Sequence, residues 1–336
     1  MAAAASAAPG GLAGVAGAKE LGSAPGELLV GNLRDALLGS TPSVSFSTRS
    51  EAARALARAR RGFQACRYER LAVELPRLIA GSAELASSED PADVALLAEV
   101  YTLATRMLVK LDRTDLGLVA ADRARRTAEG AADPILPVEA ARNLAVLTRK
   151  AGWHDKATQI ALSAAADPRL RGPDPRFKAQ RGLLIMSAAY TAAKMHDRRG
   201  MRELTTEANS IAATLDDRGI VLSHGTGFGT WMVDSHLISG NNASGDPVAA
   251  LAVARRIDPR ALPTVERRSR FYGDVATAHA LRGNRSGCLE ALLAAERVAP
   301  EETHARPAIR TLVSGLLTTG RITPDLRQFA TRCGVR

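Results

Sequence analysis

One unit recurs six times along this chain. It is a helix-length run rich in Ala and Leu, a short polar or glycine turn, and a second helix-length run. The clearest copies turn through Gly152-Trp153-His154-Asp155-Lys156-Ala157 and Gly283-Asn284-Arg285-Ser286-Gly287-Cys288, and a third turns through Cys66-Arg67-Tyr68-Glu69-Arg70-Leu71. Looser copies turn near Asp112, His196 and Gly245. The small or apolar residue that closes each turn falls at 71, 117, 157, 201, 250 and 288, giving spacings of 46, 40, 44, 49 and 38 residues. Two helices per unit at such a period predict an all-α chain, a right-handed α-solenoid of tetratricopeptide-like helix pairs. A solenoid reads its partners along a surface, so recognition is expected before chemistry.

Helix-start signals support the reading. Thr48 and Glu51 have capping-box spacing. Asp90-Pro91, Asp133-Pro134, Asp246-Pro247 and Thr323-Pro324 each set a capping side chain before a proline, which suits the first helical position. Leu97, Tyr101, Ala104, Leu108 and Leu111 fall on one face of one helix. No run alternates with period two, which argues against a sheet. Three regions are expected: an Ala/Gly-rich disordered tail over 1–25, a short helix and linker over 26–47, and the superhelix over 48–336.

The chain carries a formal net charge of +10, nearly all of the base being Arg. High Arg with high Ala and Gly is also the mark of a GC-rich genome, so the charge alone assigns no partner. Cys66, Cys288 and Cys333 are odd in number and far apart, which fits neither a disulfide framework nor a zinc site. A reducing cytoplasm is the expected compartment. No apolar run is long enough to span a membrane, so no membrane partner is expected. Ile220-Val221-Leu222 and Gly225-Thr226-Gly227-Phe228-Gly229 read as strand and glycine loop before a helix. Thr230 stands where a dinucleotide fingerprint needs its third glycine, and no βαβ unit surrounds it, so an inter-helix loop is the reading. There is no P-loop, zinc helix or nucleophile elbow. The expectation is a protein that is not an enzyme and holds no cofactor and no metal.

Longer phrases resemble a known family. They are Leu96-Leu97-Ala98-Glu99 with Lys110-Leu111-Asp112, Ala140-Ala141-Arg142-Asn143-Leu144-Ala145, Phe228-Gly229 with His236, Arg255-Arg256-Ile257-Asp258-Pro259, and Leu293-Ala294-Ala295-Glu296-Arg297 with Ala299-Pro300-Glu301-Glu302. Together they resemble the tetratricopeptide-repeat sensor region of actinobacterial XRE-type helix-turn-helix transcriptional regulators. The resemblance implies a role in transcriptional regulation, with a DNA-binding domain before the repeats. Here that space holds the Ala/Gly segment, so DNA is expected to be reached only indirectly or through a missing N-terminal domain.

In a solenoid the first helix of each pair lines the concave groove. Polar residues on those helices are the ligand-binding candidates: Arg106, Asn143, Tyr190, Trp231, His236 and Arg270. Asn143 stands out because Asn competes for backbone bonds in mid-helix. The expected partner is a peptide, a small ligand or a protein, with an extended peptide favoured. The alternative is a homodimerisation or scaffold module that takes no ligand.

Overall fold

The computed structural model describes residues 25–41, 45–131, 133–215, 220–221 and 227–335. Among these the chain is all-α apart from one short ribbon. The expected disordered tail lies outside the described residues except for Pro25, which opens the first helix. The helices are α1 (Pro25–Leu37), α2 (Arg49–Gln64), α3 (Tyr68–Leu85), α4 (Pro91–Lys110), α5 (Thr114–Glu129), α6 (Ile135–Lys150), α7 (His154–Ala165), α8 (Pro175–Lys194) and α9 (Arg198–Ala212). They continue with α10 (Thr230–Ala243), α11 (Pro247–Ala254), α12 (Val265–Leu281), α13 (Arg285–Val298), α14 (Pro300–Ala305), α15 (Pro307–Thr318) and α16 (Pro324–Arg332). None of them is long and apolar enough to cross a membrane.

The turns show why the unit recurs. Cys66, Asp112, Gly152, His196, Gly245 and Gly283 all adopt positive φ, between 57° and 88°. Each stands five residues before one of the closing residues read from the sequence, and Leu71, Gly117, Ala157, Met201, Ala250 and Cys288 are all buried. A left-handed residue reverses the chain, and the buried residue then seats the second helix on the first. Glycine adopts this conformation freely, whereas Cys66, Asp112 and His196 pay about 1–2 kcal/mol each for it.

The helix starts follow the sequence signals. The Thr48 hydroxyl accepts from Glu51 N at 3.2 Å, and the Glu51 carboxylate accepts from Ser47 N at 3.1 Å, one residue earlier than the usual reciprocal bond. Asp90, Asp246 and Thr323 accept from Ala92 N, Ala249 N and Leu326 N. Asp133 accepts from Ile135 N.

The two helices flanking each turn pack together, from α2 on α3 through to α12 on α13. The first helices also form a row, each touching the next: α2, α4, α6, α8, α10, α12. That row does not stay open as the expected groove does. α12 touches α2, and α14 touches α1 and α3. Ala299 and Ala305 belong to the same apolar core as Leu29, Leu33 and Leu71. A β-carbon on Gly26 would stand 3.0 Å from that of Ala305. The first and last units therefore meet, and the inner helices surround a common interior.

The argument against a sheet needs one correction. Ile220–Val221 pairs antiparallel with Gly227–Phe228, with Ile220 opposite Phe228. The loop between them, 222–226, lies outside the described residues. The ribbon seats the Phe228 ring, fully buried, against α8 and α10.

All three cysteines are free and buried. Burial is the first cause that raises each thiol: Cys288 to about 11, Cys333 to about 12, and Cys66 higher still, with the Glu302 carboxylate beside it. Thiolate is the reactive form. The folded protein at pH 8 is therefore expected to leave a colorimetric disulfide reagent unconsumed, and three thiols should titrate once urea is added. Rapid stoichiometric reaction of the folded protein would contradict this packing.

Candidate functional site

At the C-terminal ends of the inner helices lies a cavity of about 780 Å³. Its wall takes Lys110 from α4, Arg149 and Lys150 from α6, Tyr190 and Lys194 from α8, Ser239 and Asn242 from α10, Arg270, Asp274 and Thr277 from α12, and Arg306 with the start of α15. That volume is in the range of small-molecule sites.

The wall is basic. Its carboxylates are Asp112 and Asp274, facing Lys110, Arg149, Lys150, Lys194, Arg270 and Arg306. Most of these cations have a counter-ion. Lys110 meets Glu266 and Glu302 at 2.7 Å each, Lys150 meets Asp112, Arg270 meets Asp274 at 3.0 Å, and Arg306 meets Glu302 at 3.5 Å. Arg149 and Lys194 have no carboxylate partner among the described residues. Arg149 Nη1 donates only to neutral oxygens: Ser187 O at 3.2 Å, Ser187 Oγ at 3.3 Å and Thr191 Oγ1 at 3.4 Å. Its guanidinium lies 4.8 Å from the centre of the Tyr190 ring.

Behind the cavity the inner helices hold further guanidinium groups. Arg142 sits seven residues before Arg149, two helical turns along the same face of α6, and its Nε is buried without a partner. Burial, then the charge of Arg106, brings Arg142 down to about 10, partly opposed by Glu139. Burial also brings Arg149 down to about 10, with Arg270 adding to the effect. Both groups stay charged at neutral pH, so the interior carries concentrated positive charge. His236 on α10 feels it. Burial first, then Arg267, Arg142, Arg270 and Arg149, hold its imidazole well below the ordinary histidine range, so it is neutral at physiological pH.

The candidates from sequence are distributed unevenly. Tyr190 and Arg270 line the large cavity. His236 and Tyr190 border a second hole of about 10 Å³, room for about one water. Asn143 is buried, 4% exposed, and its Nδ2 has no partner; it lines neither cavity. Arg106 packs its guanidinium 4.8 Å over the Phe63 ring. Trp231 packs between two apolar clusters, one around Phe228 and one around Ile238, and so serves the core. Arg149, Lys194 and the carboxylate of Glu302 escaped sequence reasoning. The two-turn spacing of Arg142 and Arg149 in an Ala-Leu helix was the available signal for the first.

Among the described residues no group of three or more His, Cys, Asp or Glu is placed to hold a metal ion. The Cys66 Sγ stands 3.0 Å from Glu302 Oε2, but its raised thiol makes it a hydrogen-bond donor there and not a nucleophile. The arrangement suits holding a ligand by charge and hydrogen bonds.

No protein-family model matches this chain, and no curated protein matches it. Among solved structures the chain is similar to the crystal structure of BtubC (BKLC) from P. vanneervenii, with 14% sequence identity and a TM-score of 0.41, covering 81% of this chain and 94% of that one. At that identity and score the likeness bears on neither ligand nor function.

Proposed function

We propose that the protein is a non-enzymatic regulatory sensor acting in transcription, and that its ligand enters the interior cavity. The fold is read as a right-handed superhelix of tetratricopeptide-like pairs, wound until its ends meet. The observation that carries the proposal is the 780 Å³ cavity, whose polar wall is assembled from five inner helices and the start of α15. A site built from so many units couples ligand binding to their relative positions, which is what a sensor requires. A cavity of this volume favours a small ligand over the extended peptide expected from the sequence. The proposal includes residence in the cytoplasm of an actinobacterium and contact with DNA only indirectly or through a further domain.

Thr277→Trp provides the test. Thr277 lines the cavity, and its hydroxyl donates only within its own helix, to Gly273 O at 2.9 Å. The indole would fill part of the cavity and leave every ion pair in place. The expected result is that a Thr277→Trp allele, folded and expressed as wild type, reproduces the transcript changes of a deletion strain. A deletion that alters no transcripts would remove the regulatory role. A Thr277→Trp allele that behaves as wild type would move the function to another surface.

A further inference from the structure

Inside the cavity Arg149 is held in an unusual way for a buried cation. Its Nη1 edge is fixed by Ser187 and Thr191, and its plane is packed on the Tyr190 ring. The opposite edge, Nε and Nη2, has no partner among the described residues. A guanidinium presents that edge to a carboxylate or phosphate as a bidentate fork. Lys194 lines the same cavity, likewise without a carboxylate partner.

The ordinary reason for cations here does not cover all of them. Arg149, Lys150 and Lys194 stand in the last turns of their helices, where positive charge complements the helix dipole. Arg142 stands in the middle of α6, with a buried, unpartnered Nε, and gains nothing from a helix end. Asn143 beside it adds a buried, unpartnered Nδ2 donor. Glu139, buried on the same helix, offsets part of the charge at Arg142, and Arg149 is left without a carboxylate partner among the described residues.

We propose that the cavity binds a small anion, a carboxylate- or phosphate-bearing molecule, held by the open edge of Arg149 and by Lys194, in the field of Arg142. This rests on the ligand-sensor reading above and names the chemistry of the ligand. Entry of the anion would neutralise charges that now repel one another across α6 and α12.

The test uses citrate and inorganic pyrophosphate as probes, titrated into the full chain by calorimetry at fixed ionic strength. Saturable binding of either probe is the expected result. Binding of citrate alone would assign the carboxylate class, and of pyrophosphate alone the phosphate class. Arg149→Met should weaken binding roughly tenfold or more, and Arg149→Lys by less, because it keeps the charge and loses the fork. Arg297→Ala, on the outer surface, should bind as wild type. Absence of saturable binding of both probes overturns the proposal, as does equal binding by wild type and Arg149→Met. Either failure leaves the Thr277→Trp result standing, so the ligand class and the sensor role fail separately.

Discussion

Glu302→Ala is expected to lower stability by about 3–5 kcal/mol in urea unfolding at pH 7, the usual cost of breaking a buried ion pair from one side. Glu302 is fully buried. It accepts from Tyr68 Oη at 2.7 Å and from Cys66 Sγ at 3.0 Å, and it pairs with Lys110 at 2.7 Å. These partners come from the first two helix pairs, more than 190 residues away in sequence. Removing the carboxylate leaves the Lys110 ammonium with Glu266 alone and orphans the Tyr68 hydroxyl. Burial opposes ionisation of both carboxylates, yet Lys110 with Arg306 at Glu302, and Arg267 with Lys110 at Glu266, hold them below the ordinary glutamate value. A depressed carboxylate contributes stability above its unfolded value near 4.5 and loses it as pH falls through the folded value. The stability of the wild type should therefore decline below about pH 4.5, because the unfolded chain takes up protons that the native chain refuses. Glu302→Ala, lacking one such group, should decline less steeply. A variant within about 1 kcal/mol of wild type at pH 7 would show that this cluster does not hold the ends together.

The second large effect is expected at the ribbon. Phe228→Ala should cost about 3–5 kcal/mol, as for other fully buried aromatic truncations. The ring lies where α8 has no side chain. A β-carbon on Gly182 would meet Phe228 Cζ at 2.0 Å and Cε1 at 2.5 Å. Gly182→Ala alone is therefore expected to destabilise by about 1–3 kcal/mol through overpacking. In the Phe228→Ala background the clash is gone, and the same change should be neutral or favourable by up to about 1 kcal/mol, the ordinary helix preference of Ala over Gly. A double-mutant cycle in urea reads the difference directly. Additive effects would place the ring away from Gly182.

These two sites mark how far the sequence could be read. The unit register was legible because it is local. Turn, cap and closing residue lie within a few positions of one another, and the left-handed residues fall five before the closing residues at all six turns. Glycine announced three of those turns, whereas those at Cys66, Asp112 and His196 were read from short polar runs between helix-length stretches. Closure was not legible, because it depends on Glu302 meeting Tyr68 and Lys110 across the length of the chain, and nothing in a local pattern reports that. The site was partly legible for the same reason. Inner helices could be named, so Tyr190 and Arg270 fell on the cavity. Position along the helix could not be weighed, so Asn143 entered as a groove contact and is found buried, lining neither cavity. Arg149 was passed over among many arginines whose excess composition already accounted for.

Closure of the row of inner helices carries the rest, since without it there is a groove and no cavity. Glu69 N donates to Glu301 Oε2 at 2.9 Å, joining the start of α3 to α14. Glu69 is exposed, and the native thiols are buried and held in the unreactive form. The double variant Glu69→Cys with Glu301→Cys, treated with a short bifunctional maleimide under native conditions, tests closure directly. The ring predicts near-complete intramolecular cross-linking at low protein concentration, seen as a mass increase of one linker bound at both ends, with peptides from α3 and α14 joined after digestion. An open solenoid predicts two singly attached linkers and no joined peptide, and that result would contradict the account.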